Sequence, residues 1–114
     1  MNVCEYQLKA HSFSDYSKPI TQTANCDYCY PVMGLAEEAG EVAGKYAKAI
    51  RDCNGVISEE RKIEIVKELG DVTWFVAELC TLLGVSLEEV MQKNIDKLTS
   101  RKERNVIHGS GDNR

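Results

Sequence analysis

The chain has 114 residues and a formal net charge of -4 at pH 7. A chain of this length fits one domain built around a single hydrophobic core. Its negative charge argues against a non-specific nucleic-acid or anionic-membrane binder, because either would need a net basic face. We therefore expect one acidic domain over residues 1–114, without nucleic-acid or membrane partners. An acidic protein can still bind polyphosphate through a metal ion.

The N-terminal residues and the cysteines indicate the cellular compartment of the protein. The first ten residues include Glu5 and Lys9 and no apolar run long enough for a signal peptide or a membrane span, so we expect a cytoplasmic protein. Five scattered cysteines suit a reducing compartment, and we interpret them as thiols. Cys26 and Cys29 form one C-x-x-C motif, but the second ligand pair of a zinc site is not evident, so we do not expect zinc.

Two helices are predicted in the first half of the chain. The first covers about residues 3 to 13, where apolar residues recur at spacings of three and four. A polar loop follows from Ser14 to Asn25. The second helix begins between Asn25 and Pro31, since proline is tolerated in a first turn, and it ends near Arg51.

Two more helices are predicted in the second half. Ser58 can cap the third helix, which ends at Gly84. The fourth helix starts with a capping box, Ser86 to Glu89, and continues to about Arg104. Residues 105–114 lack helical periodicity and form an irregular C-terminal tail, which is either disordered or functional.

The second and third helices each carry an apolar stripe that we expect to face the core. On the second helix the stripe is Val32, Leu35, Ala39, Val42, Tyr46 and Ile50. On the third helix it is Val66, Leu69, Val72, Val76, Leu79 and Leu83. The short connection predicts an antiparallel hairpin. Gly40, Gly44 and Gly70 lie inside these helices and indicate either a close helix approach or simple tolerance of glycine.

Four carboxylates have matched positions on this hairpin. At about 100° per residue, Glu38 and Glu41 lie roughly 80° and 140° from the apolar centre of the second helix. Glu68 and Asp71 have the same two offsets on the third helix, so an antiparallel arrangement puts both pairs on one side. Either pair alone is more simply interpreted as solvated helix surface. The matched offsets favour a site for a cation, and hard oxygen ligands favour Mg²⁺, with Mn²⁺ as a substitute.

The fourth helix carries a polar and cationic edge. Asn94 falls inside its apolar stripe, where a buried amide needs a partner or a ligand. Lys97, Arg101 and Arg104 recur at spacings of four and three and form one ridge that suits phosphate oxygens. Basic residues near the end of a helix also favour its negative dipole end, so the ridge alone does not decide between the two interpretations.

Two segments of the sequence carry a family resemblance. GLAEEAGEVAGKYAKAIRD followed by KELGDV resembles the E-E-x-x-E and E-x-x-D signature of MazG-type nucleoside triphosphate pyrophosphohydrolases. The resemblance covers most of the chain, from Tyr6 and Gln7 to the C-terminal tail. It implies an all-α bundle of four to five helices that assembles as a homodimer or homotetramer. It also implies cleavage of a nucleoside triphosphate between the α and β phosphates, which yields a monophosphate and pyrophosphate.

The resemblance also assigns roles to residues. It implies that Mg²⁺ is bound by Glu38, Glu41, Glu68 and Asp71, and that Glu37 either supports these ligands or activates the attacking water. Asn94 and Lys97 match an Asn-x-x-Lys motif that contacts sugar or phosphates. Further substrate contacts are implied for Arg101 and Arg104, at the phosphates, and for Gln7, at the base.

Two alternatives stay open on the sequence. The related phosphoribosyl-ATP pyrophosphohydrolase of histidine synthesis shares the bundle and the chemistry. A non-catalytic acidic helix-bundle module would use the same groove to bind a cation or a basic partner helix.

Overall fold

The computed structural model describes residues 1–14 and 29–114, which form four α-helices. In chain order they are α1 (Val3–His11), α2 (Cys29–Cys53), α3 (Glu59–Leu82) and α4 (Leu87–Glu103). No strand occurs within these two ranges, which confirms the all-α prediction. Apart from Ser14, the predicted polar loop lies outside the described residues.

Local capping explains where the helices start. Ser58 and Ser86 cap α3 and α4 as predicted, and the hydroxyl of Ser86 accepts from the amide of Glu89 at 3.1 Å. The carboxylate of Glu89 forms an ion pair with Lys93 at 2.6 Å, so it does not complete the expected capping box. A full capping box instead joins Asn2 and Glu5 at the start of α1, which the sequence analysis missed.

Helices α2 and α3 form the antiparallel hairpin. Gly34 near the start of α2 lies against Phe75 in α3, whereas Lys45 further along α2 pairs with Glu64 earlier in α3. A Cβ atom at Gly34 would overlap the Phe75 ring, so the helices approach most closely at this point among the described glycines. The sequence left open whether the helices approach closely at Gly40, Gly44 and Gly70. They do not, since a Cβ atom at any of these glycines would meet nothing within 4 Å.

Helix α1 closes one side of the hairpin and connects it to α4. Its Ala10 is buried together with Ala77 and Cys80 of α3 and Leu87 of α4. The indole nitrogen of Trp74 donates to the Ala10 carbonyl at 3.0 Å, which ties α1 to α3 at the edge of this core. A polar contact lies nearby: the buried carboxylate of Glu78 lies 3.1 Å from Nδ1 of His11, whose side chain is 51% exposed.

The predicted core-facing stripes are wrong in part. Ile50 is 68% exposed and Val66 is 60% exposed, although both belong to these stripes. The α2–α3 contact is rotated toward Gly34, Ala49 and Phe75, which are buried. Because α2 and α3 carry apolar residues on more than one side, a single copy covers only one of their faces.

The cysteines do not all exist as thiols. Cys29 at the start of α2 is disulfide-bonded, so the prediction of five thiols is wrong at this position. Cys4, Cys53 and Cys80 are free thiols as expected.

No single helix in the described ranges is long and apolar enough to cross a membrane, and α3 and α4 meet that test only as a pair joined across a bend of 104°.

Candidate metal centre and substrate groove

Three carboxylates converge where α2 and α3 face each other. One oxygen from each of Glu38, Glu68 and Asp71 lies within 4.8 Å of the other two. Glu38 and Glu68 are half-buried between the helices, and Asp71 is exposed at the edge. We call these three residues the acidic triple. The convergence predicted from the helical offsets therefore occurs for three of the four carboxylates.

The electrostatics of the acidic triple favour a cation. Partial burial raises the pKa of Glu38 above its ordinary value, and the negative charges of Asp71 and Glu68 raise this pKa further. Both causes act against the ionised form of Glu38. A positive ion between the three carboxylates would reverse the second cause, because it would replace repulsion by attraction.

The donor set is of the kind that Mg²⁺ prefers. Oxygens that coordinate one Mg²⁺ at about 2.0–2.1 Å lie no more than about 4.2 Å apart. Three oxygens on one octahedral ion include at most one such opposite pair, and the adjacent pairs lie about 2.9 Å apart. Separations of up to 4.8 Å therefore have to close by up to about 2 Å, through rotation of the carboxylate side chains. Three carboxylate oxygens leave the remaining octahedral positions for water or phosphate oxygens, which is the usual pattern for Mg²⁺.

The other two acids of the signature lie beside the triple rather than in it. Glu41 and Glu37 are both exposed on α2. Each lies close enough to raise the pKa of Glu38 through its charge, although neither belongs to the group of converging oxygens. The prediction that Glu41 is a metal ligand remains a prediction, and so does the role of Glu37.

Lys45 is a residue of the site that the sequence analysis missed. Its ammonium lies 3.0 Å from Oε1 of Glu68 and 3.9 Å from Oε2 of Glu64. The hydrogen bond to Glu68 raises the pKa of Lys45, and the charges of Glu68, Glu64 and Glu41 act in the same direction. The antiparallel register that paired the acids would have found Lys45, since it lies one turn after Glu41 on the same face.

Asn94 and Lys97 line a groove between α3 and α4. The groove has a volume of about 450 Å³ and is lined by Val76, Leu87, Val90, Met91, Lys93, Asn94 and Lys97. Asn94 is exposed rather than enclosed in the stripe, so its amide can face solvent or a ligand. The structure thus brings the two residues of the Asn-x-x-Lys motif to one open groove.

The C-terminal tail covers the cationic ridge of α4. The carboxylate of Asp112 lies 3.1 Å from Nζ of Lys97 and 3.1 Å from Nη2 of Arg101. Arg101 is buried and also donates to the Asp112 carbonyl at 2.6 Å. Arg104 donates to the carbonyl of Arg114 at 3.0 Å. All three cations predicted to bind phosphate therefore contact the tail.

Gln7 makes contacts within the fold. Its side-chain nitrogen donates to the Val85 carbonyl at 3.0 Å, and its side-chain oxygen accepts from the Leu87 amide at 2.8 Å. These bonds fix the turn between α3 and α4 to α1. The predicted contact between Gln7 and the base remains a prediction, and it would have to share an amide that the turn already uses.

Tyr6 of α1 is half-buried and packs against the core around Ala10 and Ala77. Partial burial raises the pKa of its hydroxyl, and the charge of Asp71 raises this pKa further. The charge of Asp71 therefore acts on a side chain of the first helix.

Comparison with known proteins identifies relatives. The family model described as MazG nucleotide pyrophosphohydrolase domain matches residues 32–106. The chain is 46% identical to "Gene 37 protein" of Mycobacterium phage L5 over an alignment that covers 100% of both chains. It is 40% identical over 78 residues to "Uncharacterized protein YvdC" of Bacillus subtilis (strain 168), which covers 60% of this chain and 70% of that protein. No solved structure matches the chain.

The matched residues include the whole α2–α3 hairpin from Val32 onward and all of α4. They therefore contain the acidic triple, the neighbouring Glu37 and Glu41, and the groove residues of α4. Because the family model spans well over half of the sequence, the chain belongs to the MazG nucleotide pyrophosphohydrolase family.

Proposed function

We propose that this protein is a Mg²⁺-dependent nucleoside triphosphate pyrophosphohydrolase, which converts a ribo- or deoxyribonucleoside triphosphate to the monophosphate and pyrophosphate. The observation that carries the proposal is the convergence of Glu38, Glu68 and Asp71 within a chain of this family.

In this proposal the carboxylates of the acidic triple would hold Mg²⁺, with Glu41 as a fourth ligand. The ion would supply positive charge that stabilises the phosphate oxygens when the phosphoanhydride is cleaved. Glu37, which is exposed beside the triple, would either accept the proton of the attacking water or support the metal ligands.

The groove between α3 and α4 is the proposed substrate-binding site. Asn94 donates to a sugar or phosphate oxygen, and Lys97 pairs with a phosphate. The Lys97 side chain lines this groove and stays 39% exposed although it contacts Asp112. Arg101 and Arg104 serve as further phosphate ligands only if the tail moves away from them.

We also propose that the protein acts as a homodimer or homotetramer. Large apolar side chains stay exposed on α2, α3 and α4, among them Val32, Met33, Ile50, Ile63, Val66, Leu69, Met91 and Ile95. Apolar surface of this extent favours burial against a further chain, and a second copy presents the same surface. Cytoplasmic localisation remains an expectation from the sequence.

The experiment that tests the proposed function is a substrate screen with two product assays. The protein is incubated with common and damaged nucleoside triphosphates and with phosphoribosyl-ATP, with Mg²⁺ or with EDTA, and pyrophosphate and orthophosphate are measured separately. We expect Mg²⁺-dependent pyrophosphate from at least one nucleoside triphosphate and none from Glu38→Gln. Glu103→Gln, which changes an exposed acid on α4, is the matched control and should retain activity.

Other outcomes of the screen contradict the proposal. Pyrophosphate from phosphoribosyl-ATP alone would identify the related enzyme of histidine synthesis. Absence of pyrophosphate from every nucleotide, with tight Mg²⁺-independent binding of a basic helix, would identify a non-catalytic binding module. Full activity of Glu38→Gln would exclude the acidic triple as the site.

A further inference from the structure

Lys45 occupies a defined position beside the acidic triple. It lies on α2 one turn beyond Glu41, and its ammonium reaches across to α3. The side chains of Lys45 and Glu68 are only 18% and 19% exposed. Ion pairs shielded to this degree are screened less by salt and solvent than those on an open surface.

The carboxylate that Lys45 contacts also distinguishes it from the other cations. Within residues 1–14 and 29–114, its bond to Glu68 is the ion pair that reaches a carboxylate of the acidic triple. Its second contact is Glu64, which lies one turn before Glu68 on α3 at 3.9 Å from the ammonium. Glu64 is more exposed, at 56% of its side chain, and lies outside the triple.

Metal binding and this ion pair oppose each other. An ammonium and a divalent ion that share the carboxylate of Glu68 repel each other at a few ångströms. A metal ion at the triple therefore requires Lys45 to leave Glu68 or to remain there at an electrostatic cost. Glu64 offers the departing ammonium a nearby carboxylate, so the lost pairing can be replaced without exposing Lys45 fully.

We propose that Lys45 is a displaceable counter-cation of the acidic triple, which holds Glu68 when no metal is bound and shifts to Glu64 when a divalent cation binds. This inference rests on the proposed function, because it assumes that the triple is a metal site. Its consequence is that Lys45 weakens metal binding while it relieves repulsion between the carboxylates of the metal-free protein. Lys45 is in this sense a positioning residue rather than a metal ligand.

The test measures metal affinity directly on the full chain. Metal-free protein is titrated with Mn²⁺, the free ion is followed by electron paramagnetic resonance, and Mg²⁺ titration calorimetry repeats the measurement. We expect Lys45→Met to bind the ion about 3- to 10-fold more tightly, since it removes one partly shielded pair that competes for Glu68. Lys48→Met removes the same charge one turn nearer the end of α2 and is the matched control, for which we expect less than about a twofold change.

A double-mutant cycle tests the role of Glu64. We expect Glu64→Gln to weaken metal binding in the wild-type background, because Lys45 then lacks its second partner. The same change should have little effect in the Lys45→Met background, so the two effects should not add. Circular dichroism of each metal-free variant checks folding, and Lys45→Gln replaces Lys45→Met if the latter does not fold.

The outcomes separate this inference from the proposed function. Unchanged or weaker metal binding by both Lys45 variants, with normal binding by the wild type, would overturn the counter-cation role and leave the metal site intact. Equal effects of Lys45→Met and Lys48→Met would overturn it as well, because they would indicate general charge alone. Failure of the wild type to bind either ion would contradict the proposed function itself, and the inference with it.

Discussion

Gly34 of α2 lies directly against the ring of Phe75 of α3, with no room for a β-carbon between them. This contact fixes how closely the two helices of the hairpin approach one turn before Glu38. The Phe75 ring also packs edge-on against two other aromatic rings. Its centroid lies 4.8 Å from that of Trp74 and 5.9 Å from that of Tyr30. The spacing of the acidic triple therefore depends on a contact that carries no charge.

We expect Gly34→Ala to destabilise the protein by about 1–3 kcal/mol, because the added methyl group forces the Phe75 ring or the helices apart. Chemical denaturation of the metal-free protein measures the change. Gly40→Ala is the matched control on the same helix, where a β-carbon meets nothing within 4 Å. Alanine should stabilise that exposed position by about 0.5–1 kcal/mol. Equal effects of the two variants would contradict the close contact.

Glu38→Gln should separate stability from metal binding. Without metal, we expect a higher melting temperature at pH 7, because the amide removes a carboxylate whose pKa is raised by burial and by its acidic neighbours. With Mg²⁺, we expect the variant to lose the thermal stabilisation that the ion gives the wild type. Differential scanning fluorimetry with and without Mg²⁺ measures both effects, with Glu103→Gln as control. A variant that keeps the full Mg²⁺ shift would show that the ion binds elsewhere.

The two lysines of the groove should differ in their importance for catalysis. Lys97→Gln should lower kcat/KM about 10- to 100-fold, since it removes a charged hydrogen bond to phosphate. Lys93 lines the same groove but is paired with Glu89 at 2.6 Å on the exposed face of α4. We expect Lys93→Gln to change kcat/KM by less than about threefold. Steady-state kinetics on the best substrate of the screen measures both, and equal losses would argue against a specific role for Lys97.

The contact between Asp112 and α4 should stabilise the protein in a pH-dependent way. Hydrogen bonds from Lys97 and Arg101 lower the pKa of Asp112 below its ordinary value of 3.8. A lowered pKa in the folded state means that the carboxylate contributes stability above pH 3.8 and loses this contribution as the pH falls through its folded pKa.

The Asp112→Asn variant should therefore melt at a lower temperature than the wild type at pH 7. The difference in melting temperature should shrink as the pH falls below 3.8. Thermal unfolding followed by circular dichroism across the pH range measures the difference, and Glu103→Gln again serves as control. A difference that grows toward acid pH would contradict the ion pairs of the tail.

Local signals explain what the sequence could predict. Ser58 and Ser86 mark the starts of α3 and α4 because a hydroxyl there satisfies a free helix amide within three residues. The convergence of Glu38 with Asp71 followed from helical offsets and an antiparallel hairpin, which are both regular geometry. The family signature then assigned these acids a chemical role.

The remaining features depend on packing between distant parts of the chain. The buried face of α2 could not be read from its apolar stripe, because residues such as Ile50 belong to a face that one copy leaves exposed. The close approach occurs at Gly34 rather than Gly40, since only Gly34 lies opposite a large aromatic ring. The contact between Asp112 and Arg101 joins an irregular tail to a helix, and no periodicity predicts such a pairing.

Identification of the products is the most direct test of the central claim. The protein is incubated with Mg²⁺ and the nucleoside triphosphate that gives the highest rate, and the products are followed by ³¹P nuclear magnetic resonance. Cleavage between the α and β phosphates by the acidic triple predicts equal amounts of nucleoside monophosphate and pyrophosphate, and no turnover by Glu38→Gln. Formation of nucleoside diphosphate and orthophosphate, or undiminished turnover by Glu38→Gln, would contradict it.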